Sequence, residues 1–232
     1  MVIKNKVAVI TGAGKGIGFA VASELASLGF SLGIVSRNEN DIAAASAEIQ
    51  QQFPDVKIIY DAFDVADENH AANFVSRVRS ELGDVSVLVN NAGFYKPGTS
   101  FASMDDVVKS VDVNYLAAVR FVQAVLPTMR NHNSGYIFNI ASLCGVEAFP
   151  DTGIYSASKF ALVGYSSALA QELAPEGIKV TALCPSWVNT QGAGDAPMNP
   201  EDMIQTNDIA LTIRYLLSLG SAVSIREIII RC

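Results

Sequence analysis
Cysteine, histidine and basic side chains are all scarce in this chain. The three cysteines, Cys144, Cys184 and Cys232, are odd in number and show no C-x-x-C spacing. That argues against a disulfide framework or a zinc site and fits a reducing, cytoplasmic setting. The two histidines, His70 and His132, lie far apart, so no histidine-rich metal site is expected. Lys and Arg total 16 against 23 Asp and Glu, a net charge of −7. A chain so poor in cations is a weak match for nucleic acid or an anionic membrane, and neither is expected as a partner. Long apolar runs are missing as well. None approaches the ~20 residues that span a bilayer. The first apolar run, entered at Lys6, lacks the long apolar region of a signal peptide. Linkers that would split the chain, low-complexity tracts and repeats are also absent, so residues 1–232 read as one domain.

What is present is apolar and strictly alternating. Half of the 232 residues are hydrophobic, enough for a large core. Short apolar runs bounded by turn residues predict strands at Lys6–Thr11, Ser31–Ser36, Val56–Tyr60, Val85–Val89, Tyr136–Ile140, Ile178–Leu183 and Glu227–Arg231. Helical spacing fills the gaps at Ile17–Leu28, Glu39–Gln52, Asp67–Leu82, Met104–Arg130 (as two helices), Tyr155–Ala174 and Asp208–Leu219. This alternation predicts an α/β fold. Its mostly parallel, seven-stranded sheet is doubly wound, with helices on both faces and right-handed crossovers. The loosely patterned segment Gln191–Thr206 reads equally as a linker or as a loop over the strand ends.

The turn after the first strand reads Thr11-Gly12-Ala13-Gly14-Lys15-Gly16-Ile17-Gly18. Glycines there let the backbone approach a ligand, and the N–H groups of the following helix face an anion. The spacing G-x-x-x-G-x-G is neither a P-loop nor the usual G-x-G-x-x-G. Its position nevertheless points to a dinucleotide pyrophosphate, with Gly12, Gly14, Lys15, Gly16, Ile17 and Gly18 as the cradle. The second strand ends in Ser36-Arg37-Asn38, not in a carboxylate. Arg37, with Lys15, can clamp a ribose 2′-phosphate, so the cofactor reads as NADP(H). Asp64, before Val65, is a candidate acceptor for an adenine amino group, or else the cap of the next helix. Asn91, Ala92 and Gly93 follow the fourth strand, at a carboxyl end where such sheets bind ligands.

Tyr155 and Lys159 are spaced to share one face of a helix. A phenol has a pKa of about 10, and an ammonium one turn away is expected to lower it and make the pair a general acid/base. Ser142, just past the fifth strand, offers a hydroxyl to a carbonyl oxygen, and neither histidine lies near it to suggest a triad. From the residues alone, Asn114 is a cap between two helices.

In their order and approximate spacing, Thr11–Gly18, Asp64, Asn90–Gly93, Asn114, Ser142, Tyr155 and Lys159 resemble the short-chain dehydrogenases/reductases over nearly the whole chain. The resemblance implies a Rossmann fold and a hydride transfer between nicotinamide and a carbonyl or alcohol. It implies Tyr155 as catalytic acid/base, Lys159 as ribose holder, Ser142 as positioner of the carbonyl, and Asn114 as support for a water chain. It also implies a homo-oligomer, dimer or tetramer, built partly on the Tyr155 helix. After the sixth strand Pro185, Val188 and Thr190 match the pattern as cofactor contacts, but Ser186 replaces a customary glycine. The closing residues Glu227–Cys232 lack the Gly-Gly that is frequent there.

Candidate pocket walls are Phe94, Leu143, Cys144, Phe149, Trp187 and Met198, mostly apolar. A small ketone or aldehyde with an apolar part ranks above a 3-oxoacyl group on an acidic carrier protein. The end of the Tyr155 helix is acidic, and Arg130 is the only basic residue near it on the preceding helix. A non-catalytic dinucleotide-sensing or scaffold protein is the alternative of another class.

Overall fold
The computed structural model describes residues 6–194 and 196–232. Seven parallel strands, β1 (Val7–Thr11), β2 (Ser31–Ser36), β3 (Ile58–Ala62), β4 (Val87–Asn90), β5 (Gly135–Ile140), β6 (Ile178–Pro185) and β7 (Glu227–Ile230), form one sheet in the order β3-β2-β1-β4-β5-β6-β7. β1 pairs with β2 on one side and with β4 on the other. The winding direction reverses there, which opens a crevice at the carboxyl ends of β1 and β4.

Helices cover both faces. On one side α1 (Gly16–Ser27), α2 (Glu39–Gln52) and α7 (Thr206–Ser218) enclose a core that includes Val21, Leu25, Ile49, Ile209 and Ile213. On the other, α3 (His70–Leu82), α5 (Ala117–His132) and α6 (Gly153–Leu173) pack Val78, Phe121, Val125, Leu169 and Leu173 against the sheet. α4 (Met104–Val111) leads into α5 through a π-helical turn, Asp112–Leu116. The fold class is as the sequence predicts.

Several boundaries differ from expectation, each for a local reason. β3 begins at Ile58, because Ile58 is the residue aligned with Leu32 of β2. α3 starts at His70: the Asp67 carboxylate accepts from the Asn69 N–H at 3.1 Å, which makes a turn ahead of the helix. α7 starts at Thr206, and Asp208 closes a capping box with Gln205. Asn114 is not a cap. It lies inside the π turn of a helical stretch that does not break. The segment from 191 to 206 carries short 3-10 turns, and Val188 bridges to Ile204 beneath it; Asp195 of that segment lies outside the described residues.

Gly33 of β2 shows how closely the layers fit. A Cβ at Gly33 would come within 2.5 Å of Val78 Cγ2 and 3.4 Å of Val9 Cγ2. Val78 and Val9 are fully buried, so neither can move away. Overpacking of this kind costs about 1–3 kcal/mol. Gly33→Ala should therefore lower the thermal midpoint by several degrees in calorimetry. An unchanged midpoint would contradict the packing.

Candidate active site
The glycine turn is built to be approached. Gly12 and Gly16 have φ of +67° and +59°, a region that L side chains avoid. A Cβ on Gly12 would lie 2.9 Å from Asn91 Nδ2 and 3.0 Å from Ala92 Cα, so the turns after β1 and β4 are in contact. They are also bonded. Asn91 Nδ2 donates to the carbonyls of Thr11 (3.0 Å) and Gly12 (3.1 Å), and Thr11 Oγ1 accepts from the N–H groups of Asn91 and Ala92, each at 3.0 Å.

An open cleft of about 880 Å³ lies over these strand ends. Gly12, Gly14, Lys15, Gly16, Ile17, Arg37, Val65, Asn91, Ala92, Gly93 and Thr190 line it, as the sequence suggests. Its volume, its glycine floor, the start of α1 and its cations Lys15 and Arg37 fit a dinucleotide. Among the described residues Arg37 carries no ion pair, so its guanidinium is free for an anion. Thr190 reaches across the cleft mouth, 3.3 Å from where a Gly16 side chain would begin.

Other predicted contacts are placed differently. Gly18 faces the turn from inside, where a Cβ would collide with the Gly12 carbonyl at 2.2 Å. Its missing side chain seats α1 against the turn. Asp64 Oδ1 accepts from the Ala66 N–H at 3.0 Å, a local turn. Val188 is buried in the bridge to Ile204, and Pro185 ends β6 beside Ile230.

Three of the residues expected to be catalytic converge. The Ser142 hydroxyl lies near enough to the Tyr155 phenol to favour its ionised form. The Ser142 Oγ accepts from the Cys144 N–H at 3.1 Å, which leaves its own proton to donate. Lys159 is 3% exposed; its Nζ donates to the Ile140 carbonyl at 2.9 Å and stands 5.7 Å from the Tyr155 ring centroid. Tyr95 packs edge-on against Tyr155, with ring centroids 5.1 Å apart.

The expected lowering of the Tyr155 pKa is not seen in the chain by itself. Burial pushes the phenol up to about 12, and the nearby Ser142 hydroxyl opposes it. Burial also brings Lys159 down to about 8. The ammonium is bonded to the Ile140 carbonyl, and desolvation is the largest cause acting on the phenol.

Asn114 is 2% exposed and works as a clamp. Its Oδ1 accepts from the Phe94 N–H at 2.7 Å, while its Nδ2 donates to the Phe94 carbonyl and to Ser158 Oγ, both at 2.9 Å. It thereby ties the loop after β4 to α6. A π turn at this place is the kind of helix defect that gathers at functional sites.

Sequence reasoning missed several participants. Thr99 Oγ1 accepts from the Gly153 N–H at 3.0 Å and caps α6 from another loop. Ser36, Asn38, Asp41, Asn189, Gln191 and Gly192 also line the cleft. Their only sequence signal is a place just past a strand end. Ser186, the departure from the family pattern, anchors residues 230–232. Its N–H donates to the Ile230 carbonyl at 2.8 Å, and its Oγ accepts from the Cys232 N–H at 3.1 Å.

The buried ammonium has a thermodynamic signature. The Lys159 pKa falls from 10.5 unfolded to about 8 folded. Between these values the unfolded chain holds a proton that the folded chain has lost, so stability rises with pH across that window. Lys159→Met removes the buried charge and should stabilise the protein by about 1–2 kcal/mol at neutral pH. The gain should shrink as pH rises from about 8 toward 10.5. A pH-independent difference in denaturant melts would contradict a buried charged lysine.

Known proteins place the chain in context. The family model described as short chain dehydrogenase matches residues 6–200. An uncharacterised oxidoreductase of Staphylococcus saprophyticus is 32% identical over 233 residues, covering 99% of this chain and 98% of the relative. A β-ketoacyl-ACP reductase from Bacteroides thetaiotaomicron superposes with a TM-score of 0.87 at 35% identity, over 98% of this chain and 97% of that one. An alcohol dehydrogenase from Thermococcus sibiricus, solved with 5-hydroxy-NADP, superposes with a TM-score of 0.89 at 29% identity, over 98% and 96%. With the sheet order, the glycine turn and the Ser142–Tyr155–Lys159 cluster already in place, these matches make the chain a member of the short-chain dehydrogenase family of oxidoreductases.

Proposed function
We propose that the protein is an NADPH-dependent carbonyl reductase for a small ketone or aldehyde with an apolar part. The observation that carries this reading is the buried Lys159 ammonium, 5.7 Å from the Tyr155 ring centroid, with the Ser142 hydroxyl, from a different element, on the same phenol. The bound dinucleotide supplies the hydride. Ser142 and Tyr155 point two O–H groups at one place, where a substrate carbonyl oxygen accepts both. As negative charge grows on that oxygen, Tyr155 releases its proton to it and Ser142 keeps its hydrogen bond. The phenolate left behind is stabilised by Lys159. Lys159 has its Ile140 contact to exchange for a ribose hydroxyl, and Asn114 holds the adjoining loop so that water can resupply the proton. Lys15 and the free guanidinium of Arg37 support a 2′-phosphate.

The similarity to a β-ketoacyl-ACP reductase favours a second reading, a 3-oxoacyl group delivered on an acidic carrier. The surface beside α6 argues against it. Arg130 is committed to Glu176 (2.8 Å) and Glu172 (3.3 Å), so the basic residue nearest that surface is already paired.

α4 and α6 expose Met104 (70%), Val108 (53%) and Phe160 (45%), and Phe101 just before α4 is fully exposed. These apolar residues support a homo-oligomer built on that side. Light scattering should return a dimer or tetramer mass; the mass of one chain would contradict it.

The activity is tested by following reduced-nicotinamide absorbance with a panel of ketones, aldehydes, 3-oxoacyl thioesters and carrier-bound 3-oxoacyl groups. NADPH should be oxidised by small carbonyls. Tyr155→Phe, which keeps the ring and loses the proton, should reduce turnover by about 10²–10⁴-fold. A variant as active as the parent, or a panel with no turnover, would overturn the reading. Faster turnover of the carrier-bound group would replace it with the second.

A further inference from the structure
The cation in the glycine turn is not free. Lys15 Nζ lies 3.4 Å from Asp41 Oδ2. Asp41 is in the first turn of α2, and its N–H donates to Asn38 Oδ1 at 3.0 Å, so the start of that helix is fixed. Gly14 makes the approach close: a Cβ there would sit 2.9 Å from Ser36 Oγ and 3.0 Å from Asp41 Cβ. Lys15, Ser36, Arg37, Asn38 and Asp41 all line the same cleft. At the place read above as a 2′-phosphate subsite, a carboxylate therefore shares the wall with two cations.

We propose that Asp41 is a specificity-determining residue that opposes the 2′-phosphate and narrows the preference for NADPH over NADH. The proposal rests on the phosphate reading of Arg37 and Lys15. A phosphate monoester carries a charge of about −2. To bind, it must draw Lys15 away from Asp41 and then sit beside the carboxylate left unpaired. A ribose without the phosphate does neither. The ion pair is solvent-accessible, with side-chain exposures of 62% and 37%. Such pairs are weak and screened by salt, so the barrier is modest and the phosphate is discouraged without being excluded. The chain is thus built to work with either dinucleotide, with Asp41 setting the ratio.

The test uses 2′,5′-ADP and 5′-AMP, which differ only in the 2′-phosphate, in calorimetric titrations of the whole protein and of Asp41→Asn. Asn keeps the side-chain shape and leaves the Asn38 cap intact. The variant should bind 2′,5′-ADP about three- to ten-fold tighter at low salt, with 5′-AMP unchanged and the gain lost in molar salt. The ratio of kcat/KM for NADPH over NADH should rise by the same factor. Unchanged or weaker 2′,5′-ADP binding, or an equal gain for 5′-AMP, would overturn the proposal. Equal affinity of the parent for the two nucleotides would count against the phosphate reading by itself. In that case a gain confined to 2′,5′-ADP in the variant would still support the role of Asp41, and its absence would end both.

Discussion
One buried ammonium organises this molecule. Lys159 projects from α6 into the sheet's carboxyl edge and reaches the Ile140 carbonyl at the end of β5. A charge out of water is costly unless several groups compensate it. Here one carbonyl and the Tyr155 ring stand close by, and the lowered Lys159 pKa records what is left uncompensated. The same burial raises Tyr155. The site therefore holds two groups displaced toward their neutral forms, and a positive charge brought nearer the phenol lowers it again. Such paired displacement suits an acid/base centre better than a structural ion pair.

The surroundings hold that arrangement. Asn114 clamps the backbone of Phe94 and, with Ser110, reaches Ser158 on α6. Thr99 caps that helix, and the Gly98 carbonyl accepts from the Ile154 N–H at 3.1 Å. Gly93 lets the loop pass close to both partners: a Cβ there would meet Asn114 Oδ1 at 3.5 Å and Lys159 Nζ at 3.9 Å. The loop after β4, the π turn and α6 thus form one bonded unit beside the dinucleotide cleft. The cleft's far end, at Lys15, Arg37 and Asp41, is fixed separately by the β1 turn and α2. Chemistry and cofactor choice can accordingly vary independently.

Much of this was legible in the sequence because its signals are local. Strand and helix periods, the glycine turn and the four-residue spacing of Tyr155 and Lys159 need no tertiary information. What was not legible depends on distant contacts. Strand pairing, not the apolar run, sets where β3 begins. Asn114 reads as a cap until the helix is seen to continue through it. The direction of the Tyr155 shift is set by how dry the crevice is, which spacing cannot tell. The close packing of Gly18 on the Gly12 carbonyl and the bridge of Val188 to Ile204 are likewise tertiary. Asp41 and Thr99 have no motif; only the fold brings them to Lys15 and Gly153.

The central claim is that Tyr155 is a phenol raised by burial and poised to be lowered by charge. Ultraviolet titration of tyrosinate, taken as the difference between the protein and its Tyr155→Phe form, isolates this one phenol. Without cofactor it should ionise near 12. With saturating NADP+, and Lys159 engaged, its ionisation should move down by more than one pH unit. A Tyr155 signal that stays near 12 with the dinucleotide bound would contradict the account.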